Sequence, residues 1–272
     1  MNWQILYTIA LKDLKEAKQN RAAWMPAVFV PLIFTVLLPL AVVLLPALFP
    51  SASSPPLDVL LSKRGLPPFM AEKFAGLNGQ QLWVVLITGF FLAPLFLIIP
   101  LMFASMVGAD SFVGERERQT LEALLYTPLS DGELFLGKVL ASIAPALALT
   151  WLNFLIYTVV VNAASWQVMG RIWFPTAPWW PLMFWVTPAV ATLGTVVTVL
   201  ISSRVRTFME AYQLTGSLVI LILALVASQV TGVLYLSTGV ALLIGLGLWV
   251  VDGVLMILAV RTFSRNHLIS RI

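Results

Sequence analysis

Between Tyr212 and Val260 the chain carries one acidic residue, Asp252, and no basic one. A run this apolar needs lipid or a large protein interior around it. About 20 apolar residues cross the hydrocarbon core as a helix, so the run is too long for one crossing. It suits two, with a tight return near Ser228–Ser237. Four further apolar runs precede it, giving six expected spans: Ala22–Phe49, Leu82–Ala109, Val139–Val161, Pro181–Ser203, Tyr212–Val230 and Thr238–Thr262. Only 10% of the residues are charged and 60% are hydrophobic, whereas a soluble domain is about a quarter charged. The expected fold is an all-α membrane protein, one transmembrane domain over residues 1–272.

Charge then orients the spans. Of the 16 Lys and Arg residues, twelve fall on one side: Lys12, Lys15, Lys18, Arg21, Arg116, Arg118, Lys138, Arg204, Arg206, Arg261, Arg265 and Arg271. Lys63, Arg64, Lys73 and Arg171 fall on the other. Basic residues favour the cytoplasmic side, which puts both termini in the cytoplasm. The net charge of +4 therefore reports topology rather than nucleic-acid binding. Trp83, Trp166, Trp173, Trp179, Trp180 and Trp185 cluster where this topology places the outer interface, a depth that suits amphipathic rings.

Residues 1–21 are too charged for a cleavable signal, and the apolar run that follows is too long. Trp3, Leu6, Tyr7, Ala10, Leu14 and Ala17 recur at helical spacing, with Lys12, Asp13, Lys15, Glu16 and Lys18 on other faces. This pattern predicts a helix lying in the cytoplasmic interface. The outer segment Pro50–Gln81 is too short for a substantial ectodomain. Prolines recur within the spans, among them Pro46, Pro94, Pro100 and Pro145; neighbouring helices must then satisfy the freed carbonyls. Gly232, Gly239, Gly245 and Gly247 would permit close helix packing. Cysteine is absent and the single histidine, His267, lies in a basic tail. No thiolate nucleophile, cysteine metal site or H-E-x-x-H motif is therefore available.

The stretch "LSDGELFLGKV", Leu129–Val139, looks like two ATPase motifs run together. A P-loop needs Ser or Thr after its Lys and a glycine-rich backbone, yet Val139 follows Lys138 and the loop positions are Glu133, Leu134, Phe135 and Leu136. Helix punctuation explains the stretch better. Pro128 ends the preceding helix, and Ser130 with Glu133 forms an S-x-x-E capping box. Gly137 and Lys138 mark the start of the third span. Residues 110–138 thus form a cytoplasmic segment. Its first part, "DSFVGERERQTLEALLY", pairs Glu115, Glu117 and Glu122 with Arg116 and Arg118 at helical spacing.

The stretch "GERERQTLEALLYTPLSDGELFLGKVL" resembles the permease subunits of ABC-2 type transporters. Their second cytoplasmic segment commonly reads E-x-E-x-G-T-L-E-x-L-L-x-x-P-x-S-x-x-E-L-x-x-G-K. The match runs through Glu115, Glu117, Thr120, Leu121, Glu122, Leu124, Leu125, Pro128, Ser130, Glu133, Leu134, Gly137 and Lys138, and departs at Gln119, where glycine is usual. The resemblance implies a permease with no ATPase activity of its own, in a bacterial or archaeal plasma membrane. It implies cytoplasmic ABC ATPase subunits that bind ATP and Mg, and a second permease, identical or homologous. It also implies that Val113, Gly114, Glu115, Arg116, Glu117, Arg118, Gln119, Thr120, Leu121, Glu122, Leu124 and Leu125 form the coupling helix between spans 2 and 3.

Two other classes remain open from the sequence, a non-transporting assembly or sensor subunit and a membrane-embedded enzyme. Asp252 is the one clear intramembrane charge, and such residues are usually functional. With Asn153 and Gln229 it makes a sparse polar set, which favours an amphipathic or hydrophobic substrate over an ion. The topology has a direct test, because the chain lacks native cysteine. A Lys63→Cys variant should react with a membrane-impermeant maleimide on intact cells. Arg265→Cys should react only after permeabilisation, and labelling of both from outside would refute the orientation.

Overall fold

The structure is a computed structural model, and it describes residues 29–48, 76–118 and 131–262. Every regular element among the described residues is helical. Five helices are long and apolar enough to cross a membrane: Gly79–Glu117, Phe135–Ala164, Trp179–Ser202, Phe208–Val230 and Thr238–Val260. A shorter apolar helix, Phe29–Leu44, precedes them. It lies within the first expected span, Ala22–Phe49, whose ends fall outside the described residues. In chain order the helices are α1 (Phe29–Leu44), α2 (Gly79–Glu117), α3 (Asp131–Ala164), α4 (Trp179–Ser202), α5 (Phe208–Val230) and α6 (Thr238–Thr262). The interfacial helix expected over residues 1–21 lies outside the described residues, as do most of Pro50–Gln81 and the basic C-terminal tail.

Helix ends differ from the apolar runs because capping sets them. The N-terminus of α2 lies three residues before Leu82. Asn78 accepts from the Gln81 N–H at 2.8 Å, while the Gln81 side chain accepts from the Asn78 N–H at 3.1 Å. This reciprocal pairing satisfies two donors that a helix start leaves open. At its other end α2 continues through Asp110 to Glu117, with no proline to stop it. Described from Asp131, α3 already runs eight residues before the expected Val139.

The helices α2 and α4 form the centre, with α3, α5 and α6 against them. Small residues let the central pair close up. A Cβ on Gly194 of α4 would lie 3.1 Å from the Leu101 carbonyl oxygen and 2.9 Å from Ser105 Oγ on α2. One turn on, Gly108 faces Thr195 and Thr198. Of the four glycines singled out near α5 and α6, only Gly245 makes a close helix contact, beneath the Trp185 ring. Gly232 instead ends α5 in the left-handed region at φ +73°, where a side chain would be strained.

Outward faces are apolar. Leu152, Leu155 and Val159 on α3, Ile220 and Leu221 on α5, and Leu243, Leu246, Val250 and Ile257 on α6 are exposed. In water such a surface would aggregate; in a bilayer it is solvated.

Tryptophan has a structural role that the interface reading missed. Trp179 is fully buried and packs against Phe174, Tyr157, Phe96 and Phe154, with centroid separations of 4.8–5.7 Å. Its indole N–H donates to the Gly89 carbonyl at 2.8 Å. Trp151 donates to Met183 O at 3.0 Å, and Trp83 to Val42 O at 3.1 Å. Gly89 and Met183 each stand five residues before a proline, Pro94 and Pro188, inside π-helical segments whose bonds run i to i+5. Val42 stands four residues before Pro46 in ordinary α-helix. In each case the ladder donor would be a proline nitrogen, which carries no hydrogen. An indole from a neighbouring helix takes its place. Trp166 and Trp180 stay largely exposed.

Trp179→Phe should therefore destabilise the bundle by about 1–3 kcal/mol, the cost of an unsatisfied buried acceptor. The loss should shrink in a Pro94→Ala background, where an N–H returns. Thermal unfolding of the four proteins of this cycle in detergent measures both effects.

Candidate functional site

The charged residues of the family-like segment converge where α2 ends, α3 begins and α4 turns into α5. The last turns of α2 widen into a π-helical segment, Asp110–Gly114. There the Glu115 N–H reaches back five residues to Asp110 O rather than four to Ser111 O. Lys138 of α3 donates to that Ser111 carbonyl at 2.6 Å and to Glu115 Oε2 at 2.5 Å. Both side chains of the Lys138–Glu115 pair are fully buried. The Lys138 ammonium also lies 5.5 Å from the centroid of the Phe112 ring. A buried ion pair persists only when further hydrogen bonds and good geometry offset desolvation. Ser111 O and the Phe112 ring supply those additional contacts.

A second pair lies beside the first. Arg118 Nη1 meets Asp110 Oδ1 at 3.0 Å, with the arginine half-exposed and the aspartate buried. Gly114 makes room for it: a Cβ there would come within 2.8 Å of Asp110 Oδ1 and 3.3 Å of the Arg118 guanidinium. Arg116 and Glu117 point elsewhere. Arg116 donates to the Val205 carbonyl, and Glu117 Oε2 accepts from the Phe208 N–H at 2.8 Å. Val205 precedes α5 and Phe208 begins it. Thr207 caps α5 by accepting from the Glu210 N–H at 3.2 Å, and Glu210 accepts from the Arg206 N–H at 3.1 Å.

Lys138, read from the sequence as marking the start of a span, is thus a buried partner of Glu115. Val113, Gly114 and Glu115, read as part of a cytoplasmic helix, are buried at the end of α2. Gly137 is buried and Glu133 half-buried. Gln119, Thr120, Leu121, Glu122, Leu124, Leu125, Pro128 and Ser130 lie outside the described residues. The sequence reading missed the α5 start, although Thr207-x-x-Glu210 carries a T-x-x-E cap signature. It also missed Val205 and Phe208, which enter through backbone atoms and leave no side-chain signal.

Asp252 stands apart, on α6. It is 1% exposed, and neither carboxylate oxygen has a hydrogen-bond partner among the described residues. No group of three or more metal-ligating side chains occurs among the described residues. The converged site is a mechanical junction: it holds three helix ends in fixed relation through charge and backbone hydrogen bonds.

Long apolar helices, proline-freed carbonyls met across helices and apolar outer faces define a multi-pass helical membrane protein. The chain belongs to the ABC-2 family transporter proteins, whose family model matches residues 7–269. It is the permease component of a transporter of the kind that associates with an ABC ATPase. No curated protein and no solved structure matches it.

Lys138→Met would strand the Glu115 carboxylate in an apolar site. It should cost about 3–5 kcal/mol, the scale for breaking a buried pair. Adding Glu115→Leu should recover most of that loss. Thermal unfolding of the two single variants and the double variant in lipid nanodiscs decides it; a loss in the double variant equal to the sum of the two single losses would mean that the pair is not coupled.

Proposed function

We propose that the chain is the permease of an ATP-driven exporter, with a separate cytoplasmic ABC ATPase docked on the segment around Val113–Leu125. Two permeases, identical or homologous, complete the transporter in a bacterial or archaeal plasma membrane. ATP and Mg belong to the ATPase. The substrate is hydrophobic or amphipathic.

The observation that carries this reading is the Lys138–Glu115 pair. It braces the end of α2, within the proposed docking segment, against the start of α3 beyond it. A force applied to that segment reaches both spans without being absorbed by a loose end. The family match over residues 7–269 supports the ATPase partnership. The substrate class rests on the sparse polar set within the spans, Asn153, Gln229 and Asp252. Glu115, Arg116 and Glu117 are engaged inside the chain, so contact with the ATPase falls to the half-exposed Arg118 and to the residues that follow it, Glu122 among them.

Arg118→Glu with Glu122→Lys should reduce co-purification of the ABC ATPase, or the ATP hydrolysis of the complex, by tenfold or more. The variant chain should still elute as a monodisperse species. Normal binding and hydrolysis would overturn the docking assignment, and ATP hydrolysis by the purified chain alone would overturn the reading as a whole.

A further inference from the structure

The end of α2 divides its charges between two directions. Glu115 braces α3, whereas Arg116 and Glu117 reach forward to the turn between α4 and α5. The Phe208 N–H has no acceptor within its own helix, as at any helix start. Glu117 supplies one, and its negative charge suits that end of the helix dipole.

Packing reinforces this clasp. Val205, Phe208 and Ala211 are buried in one apolar cluster with Phe103, Met106 and Val107 of α2. One turn further on, Thr198 Oγ1 of α4 donates to Thr215 Oγ1 of α5 at 3.1 Å. The first part of α5, Phe208–Gly216, is therefore fastened to α2 and α4.

Beyond Gly216 the helix changes character. At Ser217 and Leu218 the bonding tightens: Ser217 N–H donates to both Gln213 O and Leu214 O, and Leu218 N–H to Thr215 O. The second part, Val219–Val230, buries only Ile222 and Gln229. α5 is thus two rods with a joint: the first is clasped by the charged end of α2, and the second rests on the earlier half of α2 through Val219 and Ile222 with most of its side chains facing outward.

We infer that Arg116 and Glu117 are positioning residues that carry displacement of the docking segment into the Phe208–Gly216 half of α5, which moves about Ser217–Leu218. The inference rests on the permease reading above. It adds that the charged end of α2 drives α5 by direct attachment, whereas α3 is driven through Lys138.

The absence of cysteine allows a clean distance measurement. Spin labels at Leu140→Cys on α3 and Leu214→Cys on α5, both exposed positions, report the separation of the two helices. The labelled chain is co-purified with its ABC ATPase, placed in nanodiscs and trapped with ATP and vanadate. Trapping should shift the distance by several ångströms in the parent. Arg116→Ala with Glu117→Ala should at least halve the shift while the complex still forms and hydrolyses ATP. Glu117→Gln, which keeps an acceptor for the Phe208 N–H, should retain it. If the double variant does not purify, Glu117→Ala alone gives the same comparison. A full shift in the alanine variant, or none in the parent, overturns the inference and leaves the permease reading standing. If no ABC ATPase binds the parent chain, both fall.

Discussion

A lysine and a glutamate buried against one another set the terms for this fold. Separating the Lys138–Glu115 pair inside the protein would leave two bare charges in a medium that solvates neither. The ends of α2 and α3 must therefore stay in register, and the segment between them is held at both ends. The same constraint explains why α2 does not stop where its apolar run stops. It continues until Glu115 reaches its partner, and the last turns carry Arg116 and Glu117 on to the start of α5. A charge pattern that looks like a solvated surface helix is largely a set of internal ties.

The central bundle follows a second rule, that every buried carbonyl must find a donor. Prolines in α2 and α4, and Pro46 two residues past α1, remove donors from the ladder, and Trp179, Trp151 and Trp83 restore them from adjacent helices. Each such bond is also a cross-link between helices. A proline that weakens one helix thereby adds a specific contact to the bundle. The peripheral α5 and α6 lack this density of ties on their outer faces, which carry apolar side chains suited to lipid.

The apolar spans were legible because membrane crossing depends on a local property, the length of an uncharged run. All five long helices fall on runs that hydropathy alone marks out. The kinship was legible for a different reason: the Glu115–Lys138 stretch preserves a spaced motif. Partners remote in sequence were not legible. Glu115 and Lys138 stand 23 residues apart, and Glu117 and Phe208 stand 91 apart; no periodicity connects them. The roles of Trp179 and Trp151 were hidden because the same indole suits a headgroup layer or a buried carbonyl. The α2 and α5 starts were hidden by short capping patterns, Asn78 with Gln81 and Thr207 with Glu210, that precede the apolar signal.

The widened turn at Asp110–Gly114 has a consequence for how the chain tolerates change in length. An α-helix advances about 100° per residue, so one extra residue in a turn rotates everything beyond it by more than a quarter circle. Here that rotation is part of the design: it aims Glu115 at α3 and leaves Glu117 facing α5. Deleting a single residue between Asp110 and Gly114 would keep the composition, the hydropathy and nearly the full length of the span. It would nonetheless swing the charged tip to a new azimuth, where neither partner waits. The compass bearing of this helix end is thus set by a five-residue irregularity, and substitutions there are milder events than insertions or deletions.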